Sequence, residues 1–122
     1  DEKEKNLRRI LNFGHTFGHA LEKVIGISHG EAVSLGMVMA AKLSEKLVTA
    51  PSGTAFRLQQ LLSGVGLPIL SPVPPDELAD AMARDKKKEK EQLFLVLLRH
   101  IGEAVTRPMP HTELKQHLHD LR

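Results

Sequence analysis

Three of the seven histidines fall within fifteen residues, in Gly14-His15-Thr16-Phe17-Gly18-His19 and then His29-Gly30-Glu31. The chain has no cysteine, so any metal it binds must be held by His, Asp or Glu. Neutral imidazoles with a carboxylate suit zinc, and a catalytic zinc keeps one position open for water or substrate. On a helix, residues four apart share a face with Cβ atoms about 5–6 Å apart, so the spacing points His15 and His19 into one space. His29, at the start of the next helix, is placed to turn back toward them. Spacing alone favours His15 with His19 as the ligand pair, and it also fits hydrogen-bonded core histidines beside glycines that serve helix packing.

Arg8 and Asn12 extend the same stripe, since steps of four, three and four lead from Arg8 through Asn12 and His15 to His19. The planar fork of Arg suits a carboxylate or phosphate, and Asn adds neutral hydrogen bonds. The run Asp85-Lys86-Lys87-Lys88-Glu89-Lys90-Glu91 reads on composition as a solvated loop, with a lysine reaching a phosphate as the functional reading. His100, His111, His117 and His119 are scattered and receive no role.

Positioning these groups requires helices. Apolar residues at steps of three and four predict an amphipathic helix over residues 7–24, ended by Gly26. Gly14 and Gly18 inside it cost roughly 1 kcal/mol each relative to Ala, so they are expected to admit close approach by a backbone or ligand. Ser28-His29-Gly30-Glu31 has the form of a capping box, and residues 30–47, apolar almost all round, predict a central buried helix. Further helices are predicted over 54–63, 76–84 and 112–121, separated by Pro51-Ser52-Gly53, by Gly64-Val65-Gly66-Leu67-Pro68 and by a proline-rich loop with Pro72, Pro74 and Pro75. Leu93 to Leu98 and Ala104 to Thr106, either side of Gly102, predict a two-stranded ribbon. The expected fold class is mainly α with a small β-ribbon near 93–106. No strand-helix-strand alternation suggests a dinucleotide fold within the chain.

Composition narrows the possibilities. With 122 residues, 41% hydrophobic and 26% charged, the chain is one modest domain or a piece of a larger protein. It begins without Met and enters a helical pattern at once, as though cut from something longer. Absence of cysteine argues against a disulfide scaffold and fits a reducing, cytoplasmic compartment. A net charge of +2 and 3% aromatic residues offer neither a basic face nor stacking platforms for nucleic acid. The longest apolar stretch, Leu93 to Leu98, falls far short of the ~20 residues of a membrane helix.

The segment Arg8-Arg9-Ile10-Leu11-Asn12-Phe13-Gly14-His15-Thr16-Phe17-Gly18-His19-Ala20-Leu21-Glu22, followed by His29-Gly30-Glu31-Ala32-Val33-Ser34-Leu35-Gly36-Met37, resembles 3-dehydroquinate synthase and its sugar-phosphate cyclase relatives. Gly66-Leu67-Pro68, Asp85-Lys86-Lys87 and the stretch from Val96-Leu97-Leu98 to Ile101-Gly102 fall in the family's order. The chain departs from the family in two places. The stretch from Ala20 to Ser28 is shorter than in many members, so the turn at Gly26 must bring His29 back, and Lys88 to Gln92 lacks the usual glycine.

The resemblance implies that residues 1–122 are the C-terminal, metal-binding helical domain of a longer enzyme, with an N-terminal NAD-binding, Rossmann-like domain absent from this chain. It implies conversion of 3-deoxy-D-arabino-heptulosonate 7-phosphate to 3-dehydroquinate and phosphate, in the shikimate pathway, by a phosphate-eliminating lyase that is inactive as this chain alone. The cofactors implied are NAD, bound mainly by the missing domain, and zinc or another divalent metal such as cobalt. By position His15 and His29 look like metal ligands, a third being a glutamate of the missing part. His19 looks like the histidine near the departing phosphate, Arg8 the arginine for the substrate carboxylate and Asn12 a substrate contact. Lys86 or Lys87, with Lys87 preferred, looks like the lysine reaching phosphate. A cytoplasmic homodimer is implied for the full-length enzyme. The competing expectations are a cyclase of the 2-deoxy-scyllo-inosose synthase kind and a non-catalytic helical interaction module.

Overall fold

The computed structural model describes residues 14–47, 49–85, 92–100 and 102–121. Their elements are α1 (His15–Ile25), α2 (His29–Lys46), α3 (Thr54–Gly64), α4 (Pro75–Asp85), β1 (Gln92–His100), β2 (Glu103–Pro110) and α5 (His111–Asp120). The mainly α class with a small ribbon is what the chain adopts.

Helix α2 is the centre, as its nearly all-round apolar character predicts, with α1, α3, β1 and α5 packed against it. Its start is a complete capping box: Ser28 Oγ accepts from the Glu31 amide at 3.3 Å, and Glu31 Oε1 accepts from the Ser28 amide at 3.3 Å. Phe17 and Leu21 of α1, Leu43 of α2, Leu78 of α4 and Leu114 and Leu118 of α5 are buried in one core, together with Leu95, Leu97 and Met109 of the ribbon. Full burial of each such side chain contributes roughly 1.5–3 kcal/mol relative to leaving it exposed.

The strands pair antiparallel, with Leu95 opposite Arg107 and Leu97 opposite Val105, and the register is irregular between Leu98 and His100. The ribbon runs beyond the expected 93–106 because β2 continues through Pro108 and Pro110. A proline lacks an amide donor, and a two-stranded ribbon tolerates it because each strand has one unpaired edge. Buried Ser44 ties the ribbon to α2: its Oγ accepts from the Leu98 amide at 2.9 Å and donates to the Ala40 carbonyl at 2.7 Å. Ser34, also buried, donates to the Pro68 carbonyl at 2.7 Å and so holds the loop after α3 against α2.

One expectation is corrected. The helix expected over 7–24 begins only at His15, because Gly14 takes φ 86 in the left-handed region and stands as its N-cap. That conformation is open to glycine at no steric cost, and it makes Gly14 the boundary from which the helix starts. The expected residues 7–13 of that helix lie outside the described residues.

Candidate metal centre

Three glycines create the site. A Cβ on Gly36 would overlap the Gly14 carbonyl oxygen and stand 2.6 Å from the Gly18 amide nitrogen, and one on Gly18 would meet the Ala32 carbonyl oxygen at 3.0 Å. Helices α1 and α2 therefore cross backbone against backbone, as close as only glycine allows. The connection between them is short: Gly26, at φ 67, donates its amide to the Glu22 carbonyl at 3.0 Å and ends α1. Three residues later the capping box starts α2.

The consequence is a histidine pair. The rings of His15, first residue of α1, and His29, first residue of α2, lie with centroids 5.5 Å apart and planes tilted by 54°. His15 is half-buried, and its Nδ1 is a buried ring nitrogen with no hydrogen-bond partner. His29 is exposed, and its Nδ1 lies 2.6 Å from Glu22 Oε1. A carboxylate can only accept there, so in the neutral ring Nδ1 carries the proton and Nε2 keeps its lone pair.

His19 is exposed on α1, four residues beyond His15. Helical spacing alone points His15 toward His19, but the ring that meets His15 across the helix crossing is that of His29. Arg8, Asn12, Lys86 and Lys87 lie outside the described residues. Sequence reasoning gave Glu22 no role, although a signal exists: Glu22 follows His15 by seven residues, two helical turns, and so shares its face.

A divalent cation fits this donor chemistry. A buried, unpartnered imidazole nitrogen is an atom that calls for a ligand, and an imidazole whose other nitrogen donates to a carboxylate is the usual form of a metal-bound histidine. Two donors do not make a closed site. Among the described residues no group of three or more His, Cys, Asp or Glu side chains converges to hold a metal.

The architecture recurs in solved synthases. 2-Deoxy-scyllo-inosose synthase complexed with carbaglucose-6-phosphate, NAD+ and Co2+ superposes with a TM-score of 0.73 at 28% identity, over 97% of this chain and 35% of that one. ValA, a 2-epi-5-epi-valiolone synthase from Streptomyces hygroscopicus subsp. jinggangensis 5008 with NAD+ and Zn2+ bound, gives 0.70 at 27% identity, over 90% and 32%. These place the domain in the class of sugar-phosphate cyclase folds. More particularly, residues 1–88 match the family described as 3-dehydroquinate synthase C-terminal, and the chain belongs to that family. The 3-dehydroquinate synthase of Acinetobacter baylyi is 48% identical over 109 residues, 86% of this chain, and that of Dehalococcoides mccartyi is 44% identical over 108. The chain spans about 30% of the length of each.

Proposed function

We propose that this chain supplies the metal-side half of the active site of a 3-dehydroquinate synthase, which converts 3-deoxy-D-arabino-heptulosonate 7-phosphate to 3-dehydroquinate and phosphate. The observation that carries the reading is the His15–His29 pair, one ring nitrogen buried and unpartnered, in a chain of this family. His15 and His29 are the residues that would hold zinc, or another divalent ion such as cobalt, with a glutamate outside this chain as third ligand. Such an ion, when bound, supplies Lewis-acid polarisation of substrate hydroxyls. An N-terminal Rossmann-like domain outside this chain would hold most of NAD, which would supply reversible hydride acceptance.

The remaining roles fall to other residues of the chain. His19, exposed one helical turn beyond His15, is free to exchange a proton beside the departing phosphate. Arg8 provides a planar fork for the substrate carboxylate, Asn12 a neutral hydrogen bond, and Lys87 or Lys86 a cation for the phosphate. On this reading the reaction belongs to the shikimate pathway, in the cytoplasm, in a homodimer. For the described residues, no helix is long and apolar enough to cross a membrane.

The solved cyclases supply a second reading, a sugar phosphate without a carboxylate, but they are 27–28% identical to this chain whereas the 3-dehydroquinate synthases reach 48%. Arg8 also favours a substrate that carries a carboxylate. The test is phosphate release from the heptulosonate phosphate by the full-length protein that carries this segment, supplied with NAD and zinc. Release that needs zinc and is lost in His15→Ala is the expected result. No release from folded, zinc-supplied, NAD-bound protein contradicts the reading and leaves another cyclase substrate or a non-catalytic domain.

A further inference from the structure

The partner of His29 is more informative than its exposure suggests. Glu22 and His29 sit on the surface of the chain, with side-chain exposures of 31% and 65%. An ion pair there contributes ~0–1 kcal/mol to stability. Its effect on geometry is larger, because a 2.6 Å contact to Nδ1 sets both the tautomer and the orientation of the ring that lies against His15. The Glu22 main chain is held at the end of α1, its carbonyl accepting the Gly26 amide at 3.0 Å. The neighbouring carboxylate, Glu31, is committed elsewhere: its Oε1 accepts from Ser28 Oγ at 2.9 Å and from the Ser28 amide at 3.3 Å.

We propose that Glu22 is a positioning residue of the metal centre, which holds His29 with Nδ1 protonated and Nε2 presented to a divalent cation. The inference rests on the reading of His15 and His29 as metal ligands. Carboxylate–histidine–metal relays of this kind change metal affinity by about 10–100-fold when the carboxylate is removed. Glu22 contacts neither metal nor substrate in this scheme, and it acts only through His29.

The test is a zinc titration of the metal-free, full-length protein that carries this segment, against a chelating competitor, together with thermal denaturation of the same metal-free samples. Glu22→Ala is expected to weaken zinc about 10–100-fold. Glu22→Gln weakens it less, since its amide oxygen still accepts from Nδ1–H. Glu31→Gln, which disturbs only the cap, leaves zinc affinity at the wild-type value. The metal-free midpoint of both Glu22 variants stays at that of wild type. Wild-type zinc affinity in Glu22→Ala, with His29→Ala impaired, overturns the positioning role alone. A lowered metal-free midpoint with unchanged affinity makes Glu22 merely structural and overturns it too. Wild-type affinity in His29→Ala overturns the ligand reading, and the positioning role with it.

Discussion

Gly36 of α2 and Gly18 of α1 meet backbone to backbone, so that a Cβ on Gly36 would stand 2.6 Å from the Gly18 amide nitrogen. No side-chain rotation relieves that overlap, because the obstructing atoms are main chain. Gly36→Ala is therefore expected to destabilise the fold by about 1–3 kcal/mol or more, as overpacking does. Gly30, where an added Cβ would meet nothing within 4 Å, is the matched control: Gly30→Ala changes stability little and gains at most about 1 kcal/mol. Thermal denaturation of both variants checks the contrast, and equal midpoints would contradict the close crossing.

The cap at Ser28 and Glu31 starts α2. Ser28→Ala removes the acceptor of the Glu31 amide and is expected to lower stability by about 0.5–2 kcal/mol, with Ser28→Thr restoring most of it. Chemical denaturation reads this directly. A Ser28→Ala midpoint at the wild-type value would mean that the cap does not hold the helix start.

Ser44 links α2 to the ribbon through a buried hydroxyl. Ser44→Ala leaves the Leu98 amide without its acceptor at a buried position, and is expected to cost about 1–3 kcal/mol. Hydrogen exchange at Leu98 should accelerate in the variant. Unchanged exchange and stability would show that another group takes over the amide.

The proposed function gives His19 and His15 different roles, although the two lie one helical turn apart on α1. In the full-length enzyme, His19→Ala is expected to leave zinc affinity unchanged while lowering turnover by about 10²–10⁴-fold, the usual contribution of a general acid or base. Loss of zinc with His19→Ala would return it to the ligand set.

Much of this is legible in the residues themselves. The capping box at Ser28 and Glu31, the all-round apolar α2 and the punctuation by Gly and Pro fix the helices to within a residue or two. What periodicity misreads is Gly14, since helical spacing runs through it while its φ of 86 makes it the N-cap from which α1 starts. The Gly14 carbonyl packs against Gly36 of α2, where a Cβ would overlap it, a contact with no local trace in the sequence. Local spacing likewise points His15 to His19, whereas the ring contact with His29 depends on the crossing of two helices and the turn at Gly26. The motif resemblance carries that long-range information because it encodes both helices at once. Glu22 had its signal in the seven-residue step from His15, but only the distance to His29 gives it a use.

The most direct measurement is the metal content of the full-length protein that carries this segment, loaded with cobalt and read by its visible absorption, for wild type, His15→Ala, His29→Ala and His19→Ala. Wild type and His19→Ala should bind one equivalent with the same ligand-field spectrum, and His15→Ala and His29→Ala should lose the tight site. Retention of that spectrum in the His15→Ala, His29→Ala double variant would contradict the metal centre.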